Sequence, residues 1–275
     1  MQFIDELQRT IDVPTPPRRI VSLVPSITET LFAFGIGERV VGVTEYCTHP
    51  PDDVAKIRKV GGTKNPQREA ILALSPDIVI VNDEENRQED FTWLAEHGLT
   101  LYVTAPRTVA DGIHMIEKLG EVLDCHTTSD LLVSHLWSVY ERVTNESAQR
   151  PRLRVFCPIW RKPWMTFNGD TYADNMLWCC GGENIFHEKS ERYFSTTLED
   201  VAALAPDVVL LPSEPYPFTT KHFEHLKPLV DTPAGRVGHF YCIDGMALCW
   251  YGPRIADGLD QLFRLFAYVH AALDD

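Results

Sequence analysis

Short runs of aliphatic and β-branched residues recur along the chain, and the stretches between them carry apolar residues at helical spacing. The first half reads as a strand over 19–24, then a helix opened by a Ser26/Glu29 capping box and ending near Gly35, then a strand over 40–44. A helix over 89–97, a strand over 99–104 and a helix over 109–123 follow. In the second half the pattern predicts a strand over 153–157, a helix over 172–180 stopped by Gly181 and Gly182, and a strand over 239–243. An amphipathic helix over 254–272 closes the chain, with Leu259, Leu262, Phe263, Phe266 and Val269 on one face.

Two segments repeat. Residues 69–81 (EAILALSPDIVIV) and 199–211 (EDVAALAPDVVLL) align without a gap at an offset of 130, with six of 13 positions identical. Each is a helix stopped by Pro and followed at once by an aliphatic run, the pattern of a strand buried on both faces of a parallel sheet. Such a repeat implies two similar lobes. Between them, residues 129–147 read as one uninterrupted helix, with Leu132, Leu136, Val139, Tyr140 and Val143 at helical spacing. The expected fold is therefore α/β: two Rossmann-like lobes, 1–125 and 151–275, joined by a single long linker helix within 126–150. A rigid spacer of this kind makes a largely pre-formed cleft the expectation.

Charge and cysteine content narrow the function classes. The net charge of −14 would repel nucleic acid and an anionic membrane surface alike. No hydrophobic run approaches the roughly 20 residues of a membrane span. Seven scattered cysteines form no framework spacing, and residues 1–19 lack an apolar leader core. Those two features point to a cytoplasmic protein, with a periplasmic one as the alternative if Met1 replaces a leader.

Several motifs in order carry a family resemblance: RVF at 154–156 followed by CGGENIF at 180–186, the Tyr46-to-Pro51 stretch, PDIVI from Pro76, and PRI at 253–255. Across residues 17–272 the chain resembles the helical-backbone solute-binding proteins of ABC importers, in particular the cobalamin and ferric-siderophore receptors. The resemblance implies a non-catalytic receptor for a small ligand, a corrinoid or metal chelate, with importer membrane subunits as partners and no required cofactor. It also implies that Glu69 and Glu199, one per lobe, dock onto those subunits. The bland alternative is that both sit in helix first turns, one helix started by Asn65 and Pro66, the other by a Thr196/Glu199 capping box. Tryptophans that line the corrinoid site of the cobalamin receptor fall here at Thr63 and Asn82. A monomer is the default for such an architecture.

Ligands of open α/β sheets lie beyond the carboxyl ends of the strands. The segments there contribute Tyr46, Glu85 and Arg87 from the first lobe, and Trp160, Arg161, Trp164, Tyr216, Trp250, Tyr251 and Arg254 from the second half. Rings on loops add about 0.5–1.5 kcal/mol each beyond simple burial, and arginines add about 1.5–3 kcal/mol per charge-assisted bond. The set suits a large flat ligand with anionic or amide edges. Cys47 and His49 could ligate a soft metal, or, with Glu45 or Glu85, serve a cleft enzyme as nucleophile, base and orienter. Against an enzyme stands the absence of GxSxG, phosphate-loop, HExxH and GxGxxG motifs. A cytosolic carrier or sensor of a corrinoid or chelated metal would use the same cleft without a transporter.

Overall fold

In the computed structural model, which describes residues 1–274, the aliphatic runs assemble into two separate parallel sheets. The chain divides into two compact units. Met1–Pro106, Ala110–Leu136 and Tyr251–Pro253 form one; Arg107–Val109, Trp137–Trp250 and the chain from Arg254 form the other.

The first unit opens with an antiparallel hairpin, β1 (Gln2–Ile4) and β2 (Thr10–Asp12). Its sheet contains β3 (Ile20–Ser22), β4 (Val40–Val43), β5 (Arg58–Lys59), β6 (Ile78–Asn82) and β7 (Leu101–Thr104) in the order β5-β4-β3-β6-β7. Every pairing in it is parallel. Val21, Leu23, Val79, Val81, Leu94 and Val103 form one of its apolar clusters. Three-residue strands carry too little periodicity to be read from sequence, and the hairpin is fixed by polar contacts instead. The buried Asp5 carboxylate accepts the backbone N–H groups of Leu7 and Arg9 and pairs with the Arg9 guanidinium at 2.6 Å. Glu6 N–H donates to the Val103 carbonyl at 3.2 Å, which ties the hairpin to β7.

The second unit contains β8 (Leu153–Phe156), β9 (Trp164–Phe167), β10 (Gly182–Asn184), β11 (Tyr193–Thr196), β12 (Val208–Pro212) and β13 (Phe240–Ile243). Its parallel sheet runs β10-β8-β12-β13, while β9 and β11 make a separate antiparallel ribbon with Trp164 opposite Thr196. Phe156, Phe186, Val209, Leu211 and Phe218 lie in its core.

The internal repeat extends into the hydrogen bonding. Helix Arg68–Ala73 leads to β6 and helix Leu198–Ala203 leads to β12. After each helix a non-glycine residue takes a left-handed backbone, Ser75 at φ 45° and Ala205 at φ 46°, just before Pro76 and Pro206. That conformation costs roughly 1–2 kcal/mol for an L-residue. The next residue supplies a matching lock. Asp77 accepts the Arg18 and Arg19 backbone N–H groups at 2.7 and 2.9 Å, and Asp207 accepts that of Arg154 at 2.8 Å. The same arginines then cap the helix ends: Arg19 donates to the Leu74 carbonyl at 2.6 Å and Arg154 to that of Leu204 at 2.8 Å.

Helix His126–Ser147 starts three residues before the predicted Ser129; residues through Leu136 belong to the first unit and those from Trp137 to the second. The Ser26/Glu29 capping box does not form. Helix Pro25–Ala33 begins two residues earlier, with Val24 at its N-cap and Pro25, whose missing N–H costs nothing there, at its first position. The closing helix Arg254–Asp274 buries Leu259, Leu262, Phe266 and Val269 as its spacing predicts. No helix among the described residues is long and apolar enough to cross a membrane.

Candidate ligand-binding site

Because all strands of each sheet are parallel, their carboxyl ends gather at one end of that sheet, and the loops there carry most of the singled-out residues. In the first unit Tyr46 follows β4 and is 62% exposed. Cys47, one residue on, turns the opposite way. Its thiol is buried, accepts from the Thr28 hydroxyl at 3.1 Å and lies 3.1 Å from that of Thr44. Burial pushes its pKa up. Turned inward and held between two hydroxyls, the thiol is not presented with His49 as a metal ligand or nucleophile, contrary to what the Cys-x-His spacing suggested. His49 is half-buried with Nδ1 3.0 Å from the Thr48 hydroxyl. Among the described residues no group of three or more His, Cys, Asp or Glu side chains is placed to hold a metal ion.

The loop after β6 is organised by two buried asparagines. Asn82 donates to the Thr104 carbonyl at 3.0 Å, and its own side-chain oxygen accepts the Glu84 and Glu85 N–H groups, each at 2.9 Å. Asn86 donates to the carbonyls of Leu23 and Thr63 and accepts the Asn82 N–H at 2.8 Å. These amides bind loop to loop. An Asn-x-x-x-Asn spacing just beyond a strand was the available signal, since Asn side chains fold back on nearby backbone. Glu85 is half-buried and accepts a 2.8 Å hydrogen bond from the Tyr251 hydroxyl. Gly252, at φ 120°, then passes so close to helix Pro25–Ala33 that a Cβ would stand 2.5 Å from the Thr30 hydroxyl. Arg87 is exposed and pairs with Glu89 at 3.4 Å, not with Glu84 or Glu85.

The second unit's loops present rings. Trp160, 42% exposed, lies edge-on to Tyr216 with centroids 5.4 Å apart. Tyr216 contacts Phe218 at 4.6 Å, and Trp164 stacks on Phe218 at 5.9 Å with 3° between planes. Trp164 thus backs the wall, packed against the second-unit core, while Trp160 fronts it. Arg161 follows Trp160 and is half-buried. After β13, the Arg254 guanidinium lies 5.4 Å from the Trp250 ring centroid. Trp250 hydrogen-bonds the Glu214 carboxyl, whose pKa burial raises against the opposing pull of Trp250 and Arg254. Sequence reading left His222 out of the ligand set, although it contacts Tyr216 edge-on at 5.5 Å.

Glu69 and Glu199 are exposed in the first turns of their helices. Neither caps. The first helix has Gln67 at its N-cap with no side-chain cap bond, not an Asn65 start. In the second, Thr197 accepts the Asp200 N–H at 3.1 Å, one residue beyond the predicted Thr196/Glu199 box.

The family of periplasmic binding proteins matches residues 20–246. The chain belongs to this family. It is a solute-binding protein of the ABC-importer class, as its motifs implied. Curated relatives include the vitamin B12-binding protein of Vibrio vulnificus, 26% identical over 260 residues and 92% of each chain. Among solved structures, the periplasmic heme-binding protein RhuT from Roseiflexus sp. RS-1 is 25% identical with a TM-score of 0.80, covering 92% of this chain and 98% of that one. The periplasmic vitamin B12-binding protein BtuF of Vibrio cholerae shares the fold, with a TM-score of 0.81 at 22% identity over 93% and 98% of the two chains. The cytoplasmic placement is thereby overturned in favour of the periplasm. Its thiol argument fails physically: five of the seven free cysteines are buried, and buried thiols persist unpaired without a reducing surrounding.

Proposed function

We propose that this protein captures a large, flat, ring-shaped ligand of the tetrapyrrole type, a corrinoid or a heme, without chemically changing it, and delivers it to an importer. The aromatic wall of the second unit carries this reading: Trp160 stays exposed while Trp164, Tyr216 and Phe218 hold one another behind and beside it. Rings that stack among themselves are already ordered, so a macrocycle laid on them gains contact at little entropic cost. Trp250, Arg161 and Arg254 serve the same ligand from neighbouring loops, the arginines meeting its carboxylates or amides. Tyr46, Arg87 and the Glu85–Tyr251 pair offer the polar contacts of the first unit. The printed ligands of the relatives, vitamin B12 and heme, support the class.

Glu69 and Glu199 are proposed to dock a monomeric receptor onto basic residues of the importer's membrane subunits. Support comes from their equivalent, exposed, non-capping positions. Visible-absorbance titration of the purified protein with hemin, cyanocobalamin and cobinamide tests the ligand class. Saturable one-to-one binding of at least one is expected; no saturation with any of them would overturn it.

A further inference from the structure

We infer that His222 is a positioning residue that fixes the direction of the Tyr216 hydroxyl, so that Tyr216 donates its proton to an acceptor oxygen of the ligand, a carboxylate or an amide carbonyl. This rests on the ligand-binding reading above and adds the polar group the aromatic wall recognises.

The backbone N–H of Thr219 points at His222 Nδ1 over 2.9 Å. An amide N–H can only donate, so Nδ1 must present its lone pair. The Thr219 carbonyl lies 3.1 Å from the same nitrogen and the Thr219 hydroxyl 3.3 Å. A proton on Nδ1 would serve that carbonyl but would set two hydrogens face to face along the shorter contact, whereas the hydroxyl can rotate to suit either case. In the neutral ring the proton therefore sits on Nε2. Nε2 faces the Tyr216 oxygen at 3.4 Å, so the ring nitrogen donates and the phenol accepts. At that length the contact sets direction more than it contributes energy. The consequence lies with the phenol's own proton, which has to turn away from His222. Edge-on packing of His222 against Tyr216 and Phe218, each at 5.5 Å, prevents the imidazole from swinging aside. Trp160 flanks Tyr216 at 5.4 Å, placing this donor beside the exposed indole on which a macrocycle would lie.

The test uses the full chain. Nitrogen-15 NMR of the imidazole rings, with the His222 signals assigned by their loss in His222→Gln, should show a pyrrole-type Nε2 and an imine-type Nδ1; the reverse tautomer would overturn the inference. Dissociation constants for hemin and cyanocobalamin are then compared across four proteins. Whichever probe binds the wild type should lose about tenfold in affinity in both Tyr216→Phe and His222→Leu. His222→Gln, whose carbonyl can accept the Thr219 N–H while its amide donates to Tyr216, should return to within about twofold. Binding by His222→Leu as tight as wild type, or no rescue by Gln at unchanged melting temperature, would overturn the inference, as would a phenolate-to-iron absorption band in the hemin complex that Tyr216→Phe removes. Hemin dimethyl ester separates the two acceptors: Tyr216→Phe should matter less for the ester if a carboxylate is the partner. If none of hemin, cyanocobalamin and cobinamide binds wild-type protein, the ligand class itself fails, an outcome the ring tautomer distinguishes from failure at His222.

Discussion

The loops after β6 and β12 begin from equivalent points of the repeat and are held by opposite chemistry. Behind them the scaffold is the same: a helix, a left-handed Ser75 or Ala205, a proline, and an aspartate that fastens a neighbouring strand. Past Asn82 the first unit ties its loops with buried amides. Past Pro212 the second unit fills the same position with rings, Tyr216 and Phe218 against Trp160 and Trp164. Hydrogen-bonded amides already have their partners and leave little to offer a ligand, whereas the ring cluster leaves Trp160 exposed at its front. On the proposed reading, this asymmetry would give apolar recognition to the second unit. Thr63 and Asn82, where the resemblance implied tryptophans, are instead members of this internal network.

The largest effect that would break this comparison is expected at Asn86. Asn86→Ala removes three hydrogen bonds and strands buried groups on Leu23, Thr63 and Asn82, at a cost of about 3 kcal/mol; denaturant unfolding measures it, and a loss below about 1 kcal/mol would mean the network is incidental. Next come the paired locks. Asp77→Ala and Asp207→Ala should each cost about 1–2 kcal/mol, with Asp77 the larger because its carboxylate accepts two backbone N–H groups against one. Clearly unequal effects in the other direction would mean the two repeats are not mechanically equivalent. The smallest concerns the helix start: Thr197→Ala should cost about 1 kcal/mol and Thr196→Ala close to nothing. Thermal unfolding of the two variants decides it.

Those cases also mark what the sequence could and could not disclose. The repeat was legible because a helix, a proline and an aliphatic run follow one another in fixed order, and that order reflects burial on both sheet faces. The cap was misplaced by one residue at Thr197 and by two at Val24, because Ser and Thr residues stand near each helix start while backbone geometry decides where the first turn begins. Cys47 looked reactive beside His49, yet alternate residues of this turn face opposite ways, and its inward orientation cannot be read from spacing. The ring-rich loops were visible as composition, while the division of labour between Trp160 in front and Trp164 behind depends on β9 pairing with β11 far along the chain. His222 was hidden because its role depends on contacts with Tyr216 and Thr219 that the residue type alone does not specify.

The most direct measurement is the dissociation constant of the tetrapyrrole probe that binds the wild type, hemin or cyanocobalamin, for Trp160→Ala beside Tyr46→Ala. Affinity should fall about tenfold or more at Trp160 and by about threefold or less at Tyr46, with melting temperatures unchanged in both. Equal losses at the two positions, or none at Trp160, would contradict a ligand recognised chiefly by the second unit's rings.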